Sequence, residues 1–133
     1  MDAFDADVLI YASIPGHALG RRVRALLPST GVVGIGSVVL LPELLSKPMR
    51  EQAHEKLAEL GSLLGRLDLW PLDHATAELA ASLGASYRLQ AADAIHVATA
   101  VIAGADRFIT NNKRDFARSI SEVDVTYPED LRE

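Results

Sequence analysis

The stretch that decides the fold is MDAFDADVLIYA, residues 1–12, in which three aspartates precede an apolar run from Val8 to Ala12. Uninterrupted Val, Leu and Ile suit a strand covered on both faces, so Ala3 to Tyr11 reads as a buried strand. Ionised carboxylates are costly to take out of water unless something pairs with them. Residues two apart on a strand share a face, which puts Asp5 and Asp7 together. Asp2 lies ahead of the strand and reads as a solvated terminal charge.

Outward from this strand, helical and β-rich segments alternate. Pro15 and Gly16 punctuate before a helix from His17 to Leu27, and Pro28 to Gly31 is a turn. Val32 to Ile35 is a short β-rich run. Ser37 caps a helix holding Val38 to Leu45, and Pro48 starts another, with Leu57, Leu60, Leu64 and Leu67 at helical spacing. Leu67 to Leu72 is the third strand. Asp73 caps a helix that reaches Leu83 and stops at Gly84. A further helix runs from Ala92 to Ala103 and ends at Gly104. Arg107 to Thr110 and Val123 to Thr126 complete the strands. Alternation of this kind predicts an α/β fold, a roughly five-stranded parallel sheet between layers of helices. The most apolar strand, the first, belongs at its centre. Ligands in such sheets bind beyond the carboxyl ends of the strands.

Composition narrows the classes. A chain of 133 residues fits a single domain, 1–133, and one of this size buries roughly two-thirds of its unfolded surface. Mean hydropathy is +0.14, which argues against disorder. There is no cysteine, so disulfide, zinc–thiolate and thiol-nucleophile chemistry are excluded. No apolar run reaches the ~18 residues a membrane span needs, and the acidic start is unlike a signal peptide. A cytoplasmic location is the expectation. The net charge of −5 disfavours general attraction to nucleic acid. A nucleic-acid substrate would need a local basic patch, or metal ions bridging to phosphate.

Four acids sit in apolar or small-residue settings. Asp5 belongs to the first strand, and Asp7 beside it is as readily plain edge polarity. Glu43 follows the second strand in SVVLLPELLSKP, with Leu40, Leu41, Leu44 and Leu45 on most sides of it. Asp93 starts a helix, where an acid also complements the helix dipole. Asp115 follows the fourth strand in FITNNKRDF, where Thr110, Asn111 and Asn112 would equally suit an ordinary turn. In a doubly wound sheet all four acids reach one edge. Two bare carboxylates ~4 Å apart repel by ~4 kcal/mol at an effective dielectric of 20, so protons or a cation must offset the cluster. Oxygen ligands without cysteine favour Mg²⁺ or Mn²⁺, and such ions activate water in phosphodiester cleavage. The histidines His17, His54, His74 and His96 show no ligand-type pairing. His96, three residues from Asp93, could contact it but reads as a packed or capping side chain. There is no P-loop, GxGxxG or GxSxG.

The four segments together resemble one family. FDADVLIYA is similar to the opening strand of PIN-domain nucleases, apolar-Asp-Thr-Asn/Ser/Asp-Val-Leu-Ile. LLPELLSKP is similar to the segment carrying that family's glutamate. AADAIHVATA resembles its Asp-Ala-Ile-His/Leu-x-Ala-x-Ala helix, and FITNNKRDF its apolar-Thr-x-Asn/Asp-x-x-Asp-Phe stretch. They occur in family order across nearly the whole chain, whose length is most similar to the VapC-type toxins of bacterial toxin–antitoxin pairs. The resemblance implies a three-layer PIN-like domain that cleaves RNA, dimerises and is neutralised by a separate antitoxin. It implies catalytic, metal-coordinating roles for Asp5, Glu43, Asp93 and the acid of the last motif. There many relatives have Asp where this chain has Asn112, leaving Asp115 as the available acid. Ala6 stands where Thr is common. Asp7 replaces the usual Asn or Ser and would add a carboxylate. Asp7, Ser37, Thr110 and Asn112 would stand behind the ligands. Arg21, Arg22, Lys113 and Arg114 are the nearest candidates to contact RNA phosphates.

The leading expectation is thus an Mg²⁺- or Mn²⁺-dependent endoribonuclease in which metal-activated water attacks in line. Two other readings compete. Asp-Ala-Asp before apolar residues is similar to the DxDx(T/V) pattern of haloacid-dehalogenase phosphatases, with Asp5 as nucleophile, although Leu9 stands where Thr or Val is expected. The third is a PIN-like binding module whose metal site is vestigial.

Overall fold

A computed structural model describes residues 1–132 of the chain. The strands are β1 (Asp2–Phe4), β2 (Gly34–Ser37), β3 (Leu67–Trp70), β4 (Phe108–Ile109) and β5 (Val125–Thr126). They form one sheet in the order β3-β2-β1-β4-β5, every pair parallel. The first strand is central, as expected. The helices are α1 (Ala6–Ser13), α2 (Ala18–Arg24), α3 (Leu40–Arg50), α4 (His54–Leu64), α5 (His74–Tyr87) and α6 (Ala91–Ile102), and a 3₁₀ turn covers Pro128–Asp130.

Alternation along β1 divides the core in two. Ala3 and its partner Phe108 pack with α5 and α6 through Ala80, Leu83, Val97 and Ala98. Phe4 and its partner Ile109 pack on the other face with Val8, Leu9, Leu44 and Leu63. Small residues let the layers close. A Cβ on Gly34 would come within 2.6 Å of the Phe4 ring, and one on Gly20 within 2.0 Å of the Tyr11 carbonyl oxygen. The latter is the point where α2 crosses α1.

The opening stretch departs from its reading. β1 ends at Phe4 and the Val8–Ile10 run is helical, not extended. Asp5 is the N-cap, in extended backbone, and its carboxylate accepts the Ala6 N–H at 2.8 Å. Val8, Leu9 and Ala12 are buried while Ile10 is 37% exposed, the spacing of a helix rather than a strand. Asp5 and Asp7 therefore do not share a strand face. Asp2 is not a free terminal charge either. It lies in β1, and both its oxygens accept from Arg107, Nε at 3.0 Å and Nη2 at 2.8 Å.

Other boundaries also shift: β2 covers Gly34–Ser37 rather than Val32–Ile35, so Ser37 ends the strand and Val39, without a side-chain cap bond, precedes α3. Pro48 lies inside the last turn of α3 instead of starting a helix, and the chain turns at Gln52 (φ 52°) before α4. Leu67, which fits the helical spacing and also opens the third strand in the sequence, is in β3. Gly84 lies inside α5, which ends at Arg88 (φ 56°), whose N–H bonds the Gly84 carbonyl. Asp73 does cap α5, accepting the Thr76 N–H at 2.8 Å. Among the described residues no helix is long and apolar enough to cross a membrane.

Candidate active site

The carboxyl ends of the parallel strands share one edge of the sheet, and the acids gather there. Asp5 follows β1 directly, and its own N–H continues the sheet to Ile109 O at 3.0 Å. Its side chain is buried, and besides Ala6 it accepts the Thr110 hydroxyl at 2.8 Å. Thr110 in turn accepts the Asn112 N–H at 3.1 Å. Asp7, in the first turn of α1, accepts the Asn111 N–H at 3.1 Å through Oδ2, while Oδ1 is buried without a partner. Asp93 enters on the first turn of α6, whose inward face is small and apolar (Ala94, Val97, Ala98) and so lies close on the sheet. Asp115 accepts the Asn112 amide at 2.8 Å and returns its own N–H to Asn112 Oδ1 at 3.2 Å.

Glu43 arrives from α3, after β2, where Ser37 Oγ accepts the Val39 N–H at 3.1 Å. Its side chain is 33% exposed, and Oε1 bonds to Nε2 of His96, whose side chain is 1% exposed. His96 is packed, as its sequence reading has it, but its bond to Glu43 is what sequence reasoning missed. Its only local signal is a polar side chain one turn after Asp93 on an otherwise apolar helix, and its contact lies on another helix.

Burial and mutual charge shift the titration of these groups. Burial, with a smaller push from Glu43, raises the Asp5 pKa above the usual carboxylate range despite His96 and its hydrogen bonds. Burial and the charge of Asp5 push Asp7 up to about 7. Asp93 is raised by burial and then by Asp5 and Asp115. Burial opposes protonation of His96, but the Glu43 bond and the charges of Asp5, Glu43 and Asp93 outweigh it and raise its pKa. All four predicted acids thus reach one electrostatic cluster, with Asp7 added. Among the described residues no Lys or Arg forms an ion pair with Asp5, Asp7 or Asp93.

The donor set fits a hard divalent cation: carboxylate oxygens, like charges that no Lys or Arg among the described residues pairs at Asp5, Asp7 or Asp93, and a buried oxygen of Asp7 left unbonded. As they stand, no three Asp, Glu or His side chains among the described residues are set to hold one ion. Hydrogen bonds from Thr110, His96 and Asn112 occupy oxygens of Asp5, Glu43 and Asp115.

The basic candidates divide. Arg22 donates to the carbonyls of Glu129 and Leu131 at 2.8 and 3.3 Å, and Lys113 to the Glu129 carboxylate at 2.5 Å, so both are engaged by the C-terminal turn. Arg114 is 90% exposed, 3.7 Å from Asp115. Arg21 lines a cleft of about 900 Å³ with Arg24, His54 and Lys56, between the start of α2 and that of α4.

The sequence pattern of the PIN domain matches residues 3–120. The match covers the Asp5, Glu43, Asp93 and Asp115 segments together, which favours that pattern over the phosphatase one. No curated protein matches the chain. Among solved structures, it is similar to a toxin–antitoxin complex from Klebsiella pneumoniae, with TM-score 0.75 and 23% identity over 96% of this chain and 98% of that one. DNA-bound VapBC from Salmonella typhimurium gives TM-score 0.74 and 20% identity over 96% and 97%. FitAcB from Neisseria gonorrhoeae gives 0.68 and 23% over 98% and 100%. At these identities the likeness is one of fold. By its sequence match over most of its length, the chain belongs to the PIN-domain family.

Proposed function

We propose that the protein is a metal-dependent endoribonuclease, the toxin of a VapC-type toxin–antitoxin pair. The observation that carries the reading is the convergence of Asp5, Glu43, Asp93 and Asp115 at one sheet edge, with no Lys or Arg among the described residues paired to Asp5 or Asp93. Asp5, Asp93 and Glu43 would hold an Mg²⁺ or Mn²⁺ ion, and Asp115, braced by Asn112, would bind a second ion or orient water. An ion held there supplies positive charge toward the scissile phosphate and acidifies water.

The chain's own groups do the rest. Thr110 fixes one oxygen of Asp5, and the Asn111 N–H fixes one oxygen of Asp7. Asp7, whose second oxygen is unbonded, is suited to accept a proton from, or orient, the attacking water. Arg21 and Arg114 are the candidates for RNA phosphates. Arg22 and Lys113 would first have to leave the C-terminal turn. RNA as substrate is supported by the family pattern, and a separate antitoxin by the likeness to structures solved as toxin–antitoxin complexes. Homodimerisation and a cytoplasmic location complete the proposal.

Cleavage of structured RNA with Mg²⁺, with EDTA, and by Asp5→Asn and Asp93→Asn tests it. Cleavage that is unchanged in either variant sinks the assignment. A calorimetric Mn²⁺ titration decides against the vestigial-site reading if the ion binds at or below millimolar concentration.

A further inference from the structure

The buried imidazole of His96 has a cost that packing does not explain. It sits on α6 among Ala94, Val97 and Ala98, where an apolar side chain would pack without losing water. Instead a polar ring is buried, and its Nδ1 has no partner. A buried polar atom left unpaired is unfavourable. What the ring gains is at its other end, where Nε2 reaches Glu43 Oε1, 53 residues away on α3. A carboxylate oxygen only accepts, so Nε2 carries the hydrogen of this bond. No described residue donates to Glu43 Oε2. The Glu43 side chain is partly exposed, and without the bond its carboxylate would be free to swing into solvent.

From this geometry we infer that His96 is a positioning residue for the proposed ion site: it clamps one oxygen of Glu43 and leaves the other to the ion. The inference rests on the metal reading above, and assigns to His96 a role distinct from the four acids. Partners that orient metal ligands in this way typically change affinity ten- to a hundredfold when removed. Glutamine can present an amide N–H near the position of Nε2; leucine fills the space without a donor.

The test is Mn²⁺ titration of the full chain by calorimetry for wild type, His96→Leu, His96→Gln, Glu43→Ala, the His96→Leu/Glu43→Ala double variant, and Asp5→Asn. His96→Leu is expected to weaken Mn²⁺ binding ten- to a hundredfold, and His96→Gln by less than about threefold. In the Glu43→Ala background His96→Leu should cause no further loss, because its effect passes through Glu43. If His96→Leu does not fold, His96→Asn, too short to reach Oε1, takes its place with the same expectation. Wild-type affinity in the donor-less variant overturns the inference, as does full additivity with Glu43→Ala. Loss of thermal stability in EDTA with Mn²⁺ affinity intact, the result of a packing role alone, also overturns it. If Asp5→Asn binds Mn²⁺ as tightly as wild type, the metal reading itself fails, which is a separate outcome.

Discussion

The two ends of β1 carry aspartates three residues apart, and their surroundings are opposite. At the amino end Asp2 is gripped at both oxygens by Arg107, and beside it the terminal amine meets Asp106 at 2.7 Å. At the carboxyl end Asp5 is buried with a hydroxyl and an N–H for partners, facing more carboxylates. One end neutralises its charge internally. The other gathers carboxylates with His96, and no Lys or Arg among the described residues, as the cationic neighbour of Asp5 and Asp93. Every strand is parallel, so all carboxyl ends lie on the second edge, and the starts of α1 and α6 lie there too. Those helix starts add a partial positive field that makes the crowding tolerable.

Substitution at the two ends should therefore have unlike consequences. The largest is in catalysis. Asp5→Asn or Asp93→Asn is expected to lower the rate of RNA cleavage by about a hundredfold or more, since an ion held there is worth several kcal/mol. Asp2→Asn should leave the initial rate unchanged, and equal losses at both ends would erase the contrast. Next in size is the response to metal. Mn²⁺ at ~100 times its dissociation constant should stabilise the fold by about 2.7 kcal/mol, raising Tm by several degrees, with EDTA reversing the shift. Asp2→Asn keeps that response and Asp5→Asn loses it. Smaller again, and opposite in sign, are the effects on the metal-free protein. Asparagine is as good an N-cap as aspartate, so Asp5→Asn keeps the cap of α1 and removes like-charge repulsion. Its Tm in EDTA should rise. Asp2→Asn breaks a two-point ion pair and should cost about 1 kcal/mol, lowering Tm.

The contrast also separates what the residues disclosed from what they concealed. The central place of β1, five parallel strands and the gathering of Asp5, Glu43, Asp93 and Asp115 all follow from alternation and chain order, which are local patterns. The Val8–Ile10 run misled because three consecutive apolar residues fit a strand and a helix equally. The exposure of Ile10 between buried Val8 and Ala12 tells them apart, since a strand would put all three on one face. Pro48 is a start signal and Gly84 a stop signal in the abstract, yet each sits within a helix that is followed by a left-handed residue, Gln52 or Arg88. The ion pair of Asp2 and the Glu43 bond of buried His96 were hidden for another reason. The partners, Arg107 and Glu43, are brought close by the fold from far along the chain. No spacing rule reaches that distance.

Within the paired end itself, exposure should decide which contact matters. The terminal amine and Asp106 meet at 2.7 Å, as short as any bond to Asp2, but their side chains are 49% and 78% exposed. Asp2 and Arg107 are 17% and 34% exposed. Water screens the first pair and competes for both partners, while ordering a free chain end opposes it. The second pair is fixed in plane by the guanidinium fork and sits against the sheet. Asp106→Asn is therefore expected to leave Tm within the error of a thermal scan, where Asp2→Asn lowers it. An equal drop in the two variants would mean that the amino end is held by its net charge and not by the geometry of Arg107. Repeating both scans at high salt separates these causes, because a charge effect fades with screening and the forked contact, partly shielded from solvent, keeps most of its strength.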